Sequence, residues 1–550
     1  MRIGASFARL AAGLMSRPDL VLREQAAFWQ RYAELCRLTA ERLLFNTSAA
    51  PVIEPDPGDR RFADARWTQN AGFDFIKQSY LLAAQSVTAL AAQAAESTAD
   101  PHERRKAAFY LRLALDALAP ANYLGTNPQA LQATLDSGGE NLRRGLAQLL
   151  DDLQRGQGHA RPKTADLSAF RVGENLATTP GKVVFQNELM QLIQYAPSTP
   201  TVHRRPLLIV PPWINKYYIL DLRPENSVIR WAVGEGHTVF VISWVNPGSA
   251  LAHKSFDDYL REGPLAALDA VAAATGVADA NAIGYCIGGT LLACTLAVLA
   301  ARNEARVRSA TFLTTLLDFA DPGEIAVFID EQQIGAMESE MQRYGYFDGR
   351  SMATAFNLLR DNELIWHYGI NNYLLGREPP AFDLLYWGMD STHMPAAMHE
   401  FYLRNMYQHN RLREPGALRL AGVPVDLGRI KTPAYFLATS EDHIAPWRSA
   451  YAGAHLLSGP VRFVLTGSGH NAGVINLPDA RRTYGYWNGE RLAPSADDWL
   501  AQAQHHDGSW WSDWSRWLRA FAGKAVAARQ PDSTRAIEDA PGSYVKVRCD

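Results

Sequence analysis

Cys286 stands in the run Gly284-Tyr285-Cys286-Ile287-Gly288, a thiol flanked by a glycine two residues before it and another two residues after it. The residues ahead of it, NAIGY, read as a strand, and those behind it, GTLLACTLAVLAA, read as a helix. That is the context of a nucleophile elbow, G-x-S-x-G, here with cysteine in place of serine. The spacing has a steric reason: the nucleophile sits on a sharp strand-to-helix turn, and bare glycines let strand and helix approach. A thiol so placed suits nucleophilic acyl transfer through a thioester. Such a nucleophile needs an acid after a late strand and a histidine after the last one. Asp442 in TSEDHIAPW follows the strand-like AYFLAT, and His470 in GSGHNAG follows VRFVLT. The order Cys286, Asp442, His470 gives nucleophile, orienting acid and general base. His443, beside the acid, is an alternative that lines the pocket or meets substrate. Backbone N–H groups of Ile287 and of Trp213 or Ile214, the latter two in PPWINKYY after the strand PLLIVP, are the expected oxyanion donors.

The remaining candidates carry less. Cys36, Cys294 and Cys549 lack an elbow, and four scattered cysteines make neither a disulfide framework nor a zinc site. His393, His399, His505 and His506 do not have ligand spacing, so no metal is expected. Trp510, Trp514, Trp517 and Phe521 recur at helical spacing, which reads as a face packed on the catalytic domain.

These side chains must be positioned by alternating strands and helices. From Gly181 the chain runs through KVVF, ELMQLIQY, PLLIVP, TVFVISW, NAIGY and VRSATFLTT, pauses, and resumes with AYFLAT and VRFVLT. Helix-length segments lie between the later runs, which argues for an α/β fold with a mainly parallel sheet, matching the α/β-hydrolase scheme. The pause, at about residues 316–430, is rich in Tyr, Trp, Met and Leu and reads as a helical cap inserted above the carboxyl ends of the strands. Residues 1–166 read as an all-helical N-terminal domain and linker, from long Ala/Leu-rich stretches at helical period and the polar RGQGHARPKTAD. Residues 167–523 are then the catalytic domain and residues 524–550 a polar tail, expected to be mobile from Gly523 until APGSYVKVR near the end.

Composition sets the outer bounds. A length of 550 residues suggests two or three domains, and 47% hydrophobic with 20% charged residues is ordinary globular usage. Fifty-four basic against 57 acidic side chains leave no electrostatic footprint for nucleic acid. The basic start, broken by Arg9, does not read as a signal peptide. Residues 280–301 carry no charge and have the length of a membrane span, but Gly284, Gly288 and Gly289 split them into a strand-like and a helix-like half. A reducing cytoplasm without a transmembrane segment is the expected setting.

The motifs RPLLIVPPWINKYYILDL, GHTVFVISWVNP, GYCIGGT, TFLTTLLDFADPG, EDHIAPW, GSGHNAGVINLP, GSWWSDW and APGSYVK resemble those of the class I polyhydroxyalkanoate synthases, and the likeness covers most of the chain. The resemblance implies polymerisation of (R)-3-hydroxyacyl-CoA, short-chain units such as 3-hydroxybutyryl-CoA, with Cys286 as nucleophile, His470 as base and Asp442 as acid. It implies no cofactor, CoA being part of the substrate and a product, and Arg404 in YLRNMY as a CoA contact. It further implies a homodimer on the surface of a growing cytoplasmic polyester granule, with the N-terminal domain serving dimerisation and attachment. A cytoplasmic thiol hydrolase, a thioesterase or intracellular polyester depolymerase, is the alternative that the triad alone leaves open.

Overall fold

The computed structural model describes residues 12–47, 49–96, 100–156, 158–478, 483–489 and 491–549. Much of the stretch on which the absence of a signal peptide was read, residues 1–11, lies outside them. The chain divides into two compact units, one made of Met1–Asp166 with Phe356–Pro380, the other of Leu167–Ala355 with Ala381–Asp550.

The first unit is built on helices Pro18–Phe45, Ala71–Glu96, Pro101–Ala117, Pro128–Asp136 and Glu140–Arg155. Proline at the first turn and a side-chain cap start two of them: Asp100 accepts from the His102 N–H, and Asn127 from those of Gln129 and Ala130. Part of the expected cap belongs to this unit. The Asn141 amide donates to the Leu374 carbonyl at 2.7 Å, and the Tyr373 hydroxyl to Asp152 at 2.8 Å. A Cβ on Gly145 would stand 1.9 Å from the Tyr373 carbonyl oxygen, so only a bare helix face admits that segment.

The second unit is organised by strands β1 (Gly181–Gln186), β2 (Met190–Tyr195), β3 (Thr201–His203), β4 (Leu207–Val210), β5 (Val239–Trp244), β6 (Ala280–Tyr285) and β7 (Val307–Leu313). After two short cap pairs, β8 (Tyr346–Phe347) with β9 (Met394–Pro395) and β10 (Arg419–Leu420) with β11 (Val423–Pro424), follow β12 (Ala434–Thr439), β13 (Val461–Thr466), β14 (Tyr486–Asn488), β15 (Gln504–His506), β16 (Ala525–Ala527) and β17 (Glu538–Asp539). Eleven strands form one sheet in the order β15-β14-β13-β12-β7-β6-β4-β5-β2-β1-β17. From β5 through β4, β6, β7 and β12 to β13 every pairing is parallel, and antiparallel strands extend both sides. The central strands are buried along their whole length, which is why their sequences are continuous apolar runs without alternation.

The helix Ile287–Ala301, buried from Ile287 to Leu299, lies against this sheet. The uncharged stretch 280–301 is therefore a buried strand followed by a buried helix. Among the described residues, no helix is long and apolar enough to cross a membrane.

The tail before APGSYVKVR differs from expectation. Residues after Gly523 add β16 to β3 and β17 to β1, and the Gln191 side-chain carbonyl accepts from the Ser543 and Tyr544 N–H groups at 3.1 Å. Edge strands offer unpaired backbone groups, and pairing with them needs no apolar sequence.

Candidate active site

Cys286 occupies the turn between β6 and the helix Ile287–Ala301 with φ 53° and ψ −126°, a left-handed conformation rare for a residue with a side chain. Its N–H donates to the Leu313 carbonyl at 2.9 Å, tying the turn to the end of β7. The three glycines around it divide the work differently from the simple two-before, two-after reading. A Cβ on Gly284 would lie 2.4 Å from the Gly289 Cα, so Gly284 and Gly289 are the pair that lets strand and helix touch. Gly288 instead faces the Val210 and Pro211 carbonyl oxygens, at 2.2 and 2.6 Å from a hypothetical Cβ. It brings the loop after β4, which carries Trp213 and Ile214, against the elbow.

Asp442 and His470 stand beyond the ends of β12 and β13, adjacent parallel strands whose following loops are joined by the Glu441 N–H donating to the Ser468 carbonyl at 3.0 Å. The Asp442 Oδ2 lies 2.7 Å from His470 Nδ1, and both side chains are buried. The other aspartate oxygen, Oδ1, accepts from the Ile444 and Ala445 N–H groups at 2.9 and 2.8 Å. Burial alone would lower the His470 pKa, but the Asp442 carboxylate and the Cys286 sulfur, through charge and side-chain hydrogen bonding, raise it. A proton taken up by this imidazole is thus stabilised in place. The structure therefore brings Cys286, Asp442 and His470 into one constellation. His443 is half-buried, with its backbone carbonyl toward Gly323.

Near this constellation Tyr285, Trp511, Tyr402 and Tyr407 were not singled out by the sequence, whereas Trp510 and Trp514 were. Tyr285 stacks on the His470 ring at 5.8 Å, and its hydroxyl lies 2.5 Å from Asn471 Oδ1, which steadies the histidine loop from the elbow itself. The Trp510 and Trp511 indole N–H groups donate to the Gly473 and Val474 carbonyls at 3.0 and 2.9 Å, and Trp514 donates to Thr311 at 2.9 Å. The tryptophan helix Trp510–Ala522 thus packs on the catalytic unit and holds the histidine loop. In the cap, the helix Ala396–Tyr402 continues into the wider-wound turn Leu403–Gln408, where side chains five apart share a face. Tyr402 and Tyr407 meet there at 5.4 Å and pack on Phe319. Burial first, with the nearby Cys286 sulfur adding to it, raises both phenol pKa values, so both remain O–H donors beside the thiol.

Arg404 lies differently from the expected CoA contact. Its guanidinium pairs with Glu338 at 2.6 Å and Glu331 at 3.1 Å, with Glu400 at 3.9 Å, so its charge is spent within the cap. Cys294 is buried in the helix, where desolvation pushes its thiol up to about 12. Cys36 is exposed on the first helix, and Cys549 is half-buried at the end of the tail. His505 and His506 lie on edge strand β15, His393 stacks on Tyr346, and His399 on Phe347. Among the described residues no group of three His, Cys, Asp or Glu side chains could hold a metal ion.

A parallel sheet carrying a cysteine on a strand-to-helix turn, with an aspartate and a histidine after later strands, defines an α/β-hydrolase-fold protein, and residues 213–476 match the alpha/beta hydrolase fold family. Residues 58–232 match the family described as the N-terminus of poly-beta-hydroxybutyrate polymerase (PhaC). The poly(3-hydroxyalkanoate) polymerase of Methylorubrum extorquens is 49% identical over 98% of this chain and 89% of its own length. The polymerase subunit PhaC of Rhizobium meliloti (strain 1021) is 48% identical over 97% of this chain and 87% of its own, and that of Cupriavidus necator 46% over 89% and 83%. The chain belongs to the poly(3-hydroxyalkanoate) polymerase family.

Proposed function

We propose that this protein polymerises (R)-3-hydroxyacyl-CoA, short-chain units such as 3-hydroxybutyryl-CoA, releasing CoA and passing each acyl group through a thioester on Cys286. The observation that carries the reading is the Cys286 elbow facing a His470 that is bonded to Asp442 at 2.7 Å. His470 takes the thiol proton as the Cys286 sulfur attacks the CoA thioester. The tetrahedral oxyanion forms toward the Ile287 N–H and a donor from the Trp213–Ile214 loop. As it collapses, the bond to the CoA sulfur breaks and His470 returns the proton to it. The same histidine then removes the proton from the 3-hydroxyl of an incoming unit, whose oxygen attacks the Cys286 thioester; the bond to the Cys286 sulfur breaks, the proton returns to that sulfur, and the lengthened chain, now a CoA thioester, acylates Cys286 again with release of CoA. Cysteine suits this exchange because thioester replaces thioester, so the acyl group stays activated until an ester forms. Asp442 orients the imidazole and stabilises its charged form. The aromatic wall of buried Phe319 and Tyr402 and half-buried Tyr407 favours an acyl chain over water, which supports polymerisation above thiol hydrolysis.

The reading extends to a homodimer on a cytoplasmic polyester granule. It is supported by a stripe on the first helix, Leu22, Ala26, Trp29, Ala33, Cys36, Ala40 and Leu43, whose alternating spacings of four and three residues are those of a coiled-coil seam and whose members are all exposed. A Trp29→Glu variant that stays dimeric and granule-bound would contradict that part. The experiment for the chemistry is intact-protein and peptide mass spectrometry after rapid mixing with 3-hydroxybutyryl-CoA. Acyl mass on the Cys286 peptide, absent from Cys286→Ala, is expected; turnover without it, or acyl mass on another residue, would overturn the assignment.

A further inference from the structure

The loop after β4 is fastened to the cap along its length. The Thr392 hydroxyl donates to the Trp213 carbonyl, the Thr392 N–H to the Ile214 carbonyl at 3.1 Å, and the Trp387 indole N–H to the Lys216 carbonyl at 2.7 Å. Behind these bonds lies a buried ion pair, Lys216 Nζ to Asp390 Oδ1 at 2.9 Å, with both side chains almost fully enclosed. The Tyr218 hydroxyl donates to the other Asp390 oxygen at 2.9 Å, and Arg548 from the tail approaches at 3.9 Å. A buried ion pair is weak evidence for stability, since desolvation offsets most of its attraction; it is better suited to fixing one arrangement. Burial lowers the Lys216 pKa, which the facing Asp390 carboxylate opposes.

A trans peptide unit is planar, with its carbonyl and its N–H pointing in opposite directions. Whatever fixes the Trp213 carbonyl therefore fixes the direction of the Ile214 N–H. The preceding Val210–Pro211 backbone is already seated against Gly288, so the direction of this one amide is set beside the elbow. We propose that Thr392 is a positioning residue for acyl transfer: its hydroxyl, anchored by the Lys216–Asp390 pair, aims the Ile214 N–H as the second oxyanion donor. The inference rests on the reading of Cys286 as the acyl-accepting thiol. It makes the cap part of the catalytic apparatus as well as a cover, and it selects Ile214 over Trp213 as the donor from that loop.

The test compares Thr392→Val, which keeps the shape and loses the hydroxyl, with Thr392→Ala and Thr392→Ser. CoA release from 3-hydroxybutyryl-CoA gives kcat and KM, and alkylation of Cys286 by iodoacetamide gives a second rate. Alkylation occurs at a saturated carbon and develops no oxyanion, so it reports thiol access without the proposed donor. Removal of an oxyanion donor lowers kcat by about 100- to 1,000-fold, and a misaimed one is expected to lower it at least about tenfold. The expected result is that loss of kcat in Thr392→Val and Thr392→Ala, with KM and alkylation rate within about twofold of wild type, and recovery in Thr392→Ser. Unchanged kcat in folded Thr392→Val or Thr392→Ala, or alkylation falling in parallel with kcat, would overturn the inference. Should Thr392→Val and Thr392→Ala both fail to fold, Thr392→Ser decides alone, and a folded serine variant with kcat reduced tenfold contradicts the hydroxyl's role. Absence of CoA release from the wild type would instead refute the underlying reading of the site.

Discussion

Replacing Asp442 by asparagine exchanges a single heavy atom and should nearly abolish turnover, for a reason visible in the hydrogen bonds. Oδ1 accepts from two backbone N–H groups at 2.9 and 2.8 Å, while Oδ2 faces His470 Nδ1 at 2.7 Å. The asparagine can place its amide nitrogen in only one of these two sites. Turned toward Ile444 and Ala445, it would leave two buried N–H donors unsatisfied, at about 1–3 kcal/mol each. Turned toward His470, it presents a donor to a ring nitrogen that can shed its proton and accept. The second arrangement wins by about 2–6 kcal/mol, and it forces the His470 proton onto Nε2, the nitrogen that must receive the Cys286 proton. Loss of the carboxylate also removes the largest influence that raises the His470 pKa. A comparable change in a serine triad lowers kcat about 10⁴-fold, and the expectation here is a loss of about 10³- to 10⁴-fold, about 4 to 5.5 kcal/mol of transition-state stabilisation. The assay is initial CoA release from 3-hydroxybutyryl-CoA, with circular dichroism and the unfolding midpoint as checks on the fold. A folded Asp442→Asn protein retaining more than a tenth of wild-type CoA release would refute the assigned role of the aspartate.

Other perturbations separate the remaining parts of the account. Cys286→Ala should abolish CoA release, whereas Cys294→Ala, at a fully buried thiol pushed up to about 12, should retain most activity and lose stability; the reverse ranking in a CoA-release assay would identify the wrong sulfur. Gly289→Ala places a Cβ 2.0 Å from Thr315 Oγ1, so it should cost about 1–3 kcal/mol or more in denaturant stability and reduce turnover by moving the elbow; a variant with wild-type midpoint and rate would show that the turn has slack. His399 is buried with neither ring nitrogen hydrogen-bonded, and desolvation lowers its pKa to about 3. Its depressed folded value means that the unfolded chain binds the proton first, so stability present above about pH 6.5 is lost as pH falls toward 3. From pH 8 to 5.5 the loss from this group is about 1.4 kcal/mol. His399→Leu should flatten that part of the pH dependence of the unfolding midpoint, and parallel curves for variant and wild type would contradict a neutral buried histidine.

The parts of the site legible in the sequence are those whose chemistry is local. An elbow needs its glycines within a few residues, and an acid or histidine at a strand end is found by counting strands, so Cys286, Asp442 and His470 could be named before the structure placed them together. The share of Gly289 was hidden, because which glycine meets which backbone depends on the strand-to-helix angle. Tyr402 and Tyr407 were hidden because the helix between them widens to a five-residue repeat that a 3.6-residue period does not anticipate. The tail and residues 356–380 were misread in another way. Their attachment is by backbone groups and polar side chains, as in the pairing of β16 with β3 and the bond of Asn141 to Leu374, and such bonds leave no hydrophobic periodicity. Arg404 was read as a CoA contact because the carboxylates it meets, Glu331 and Glu338, are about 70 residues away in sequence.

The central claim is that the acyl group on Cys286 is passed to a hydroxyl rather than to water. Purified protein supplied with 3-hydroxybutyryl-CoA allows CoA, free 3-hydroxybutyrate and insoluble polyester to be quantified in the same reaction. The account predicts CoA release matched by ester units in polymer, with free acid a minor product, and no sustained turnover of butyryl-CoA, which lacks the hydroxyl that carries the chain onward. Free 3-hydroxy acid in stoichiometric yield with CoA, and no polymer, would contradict it.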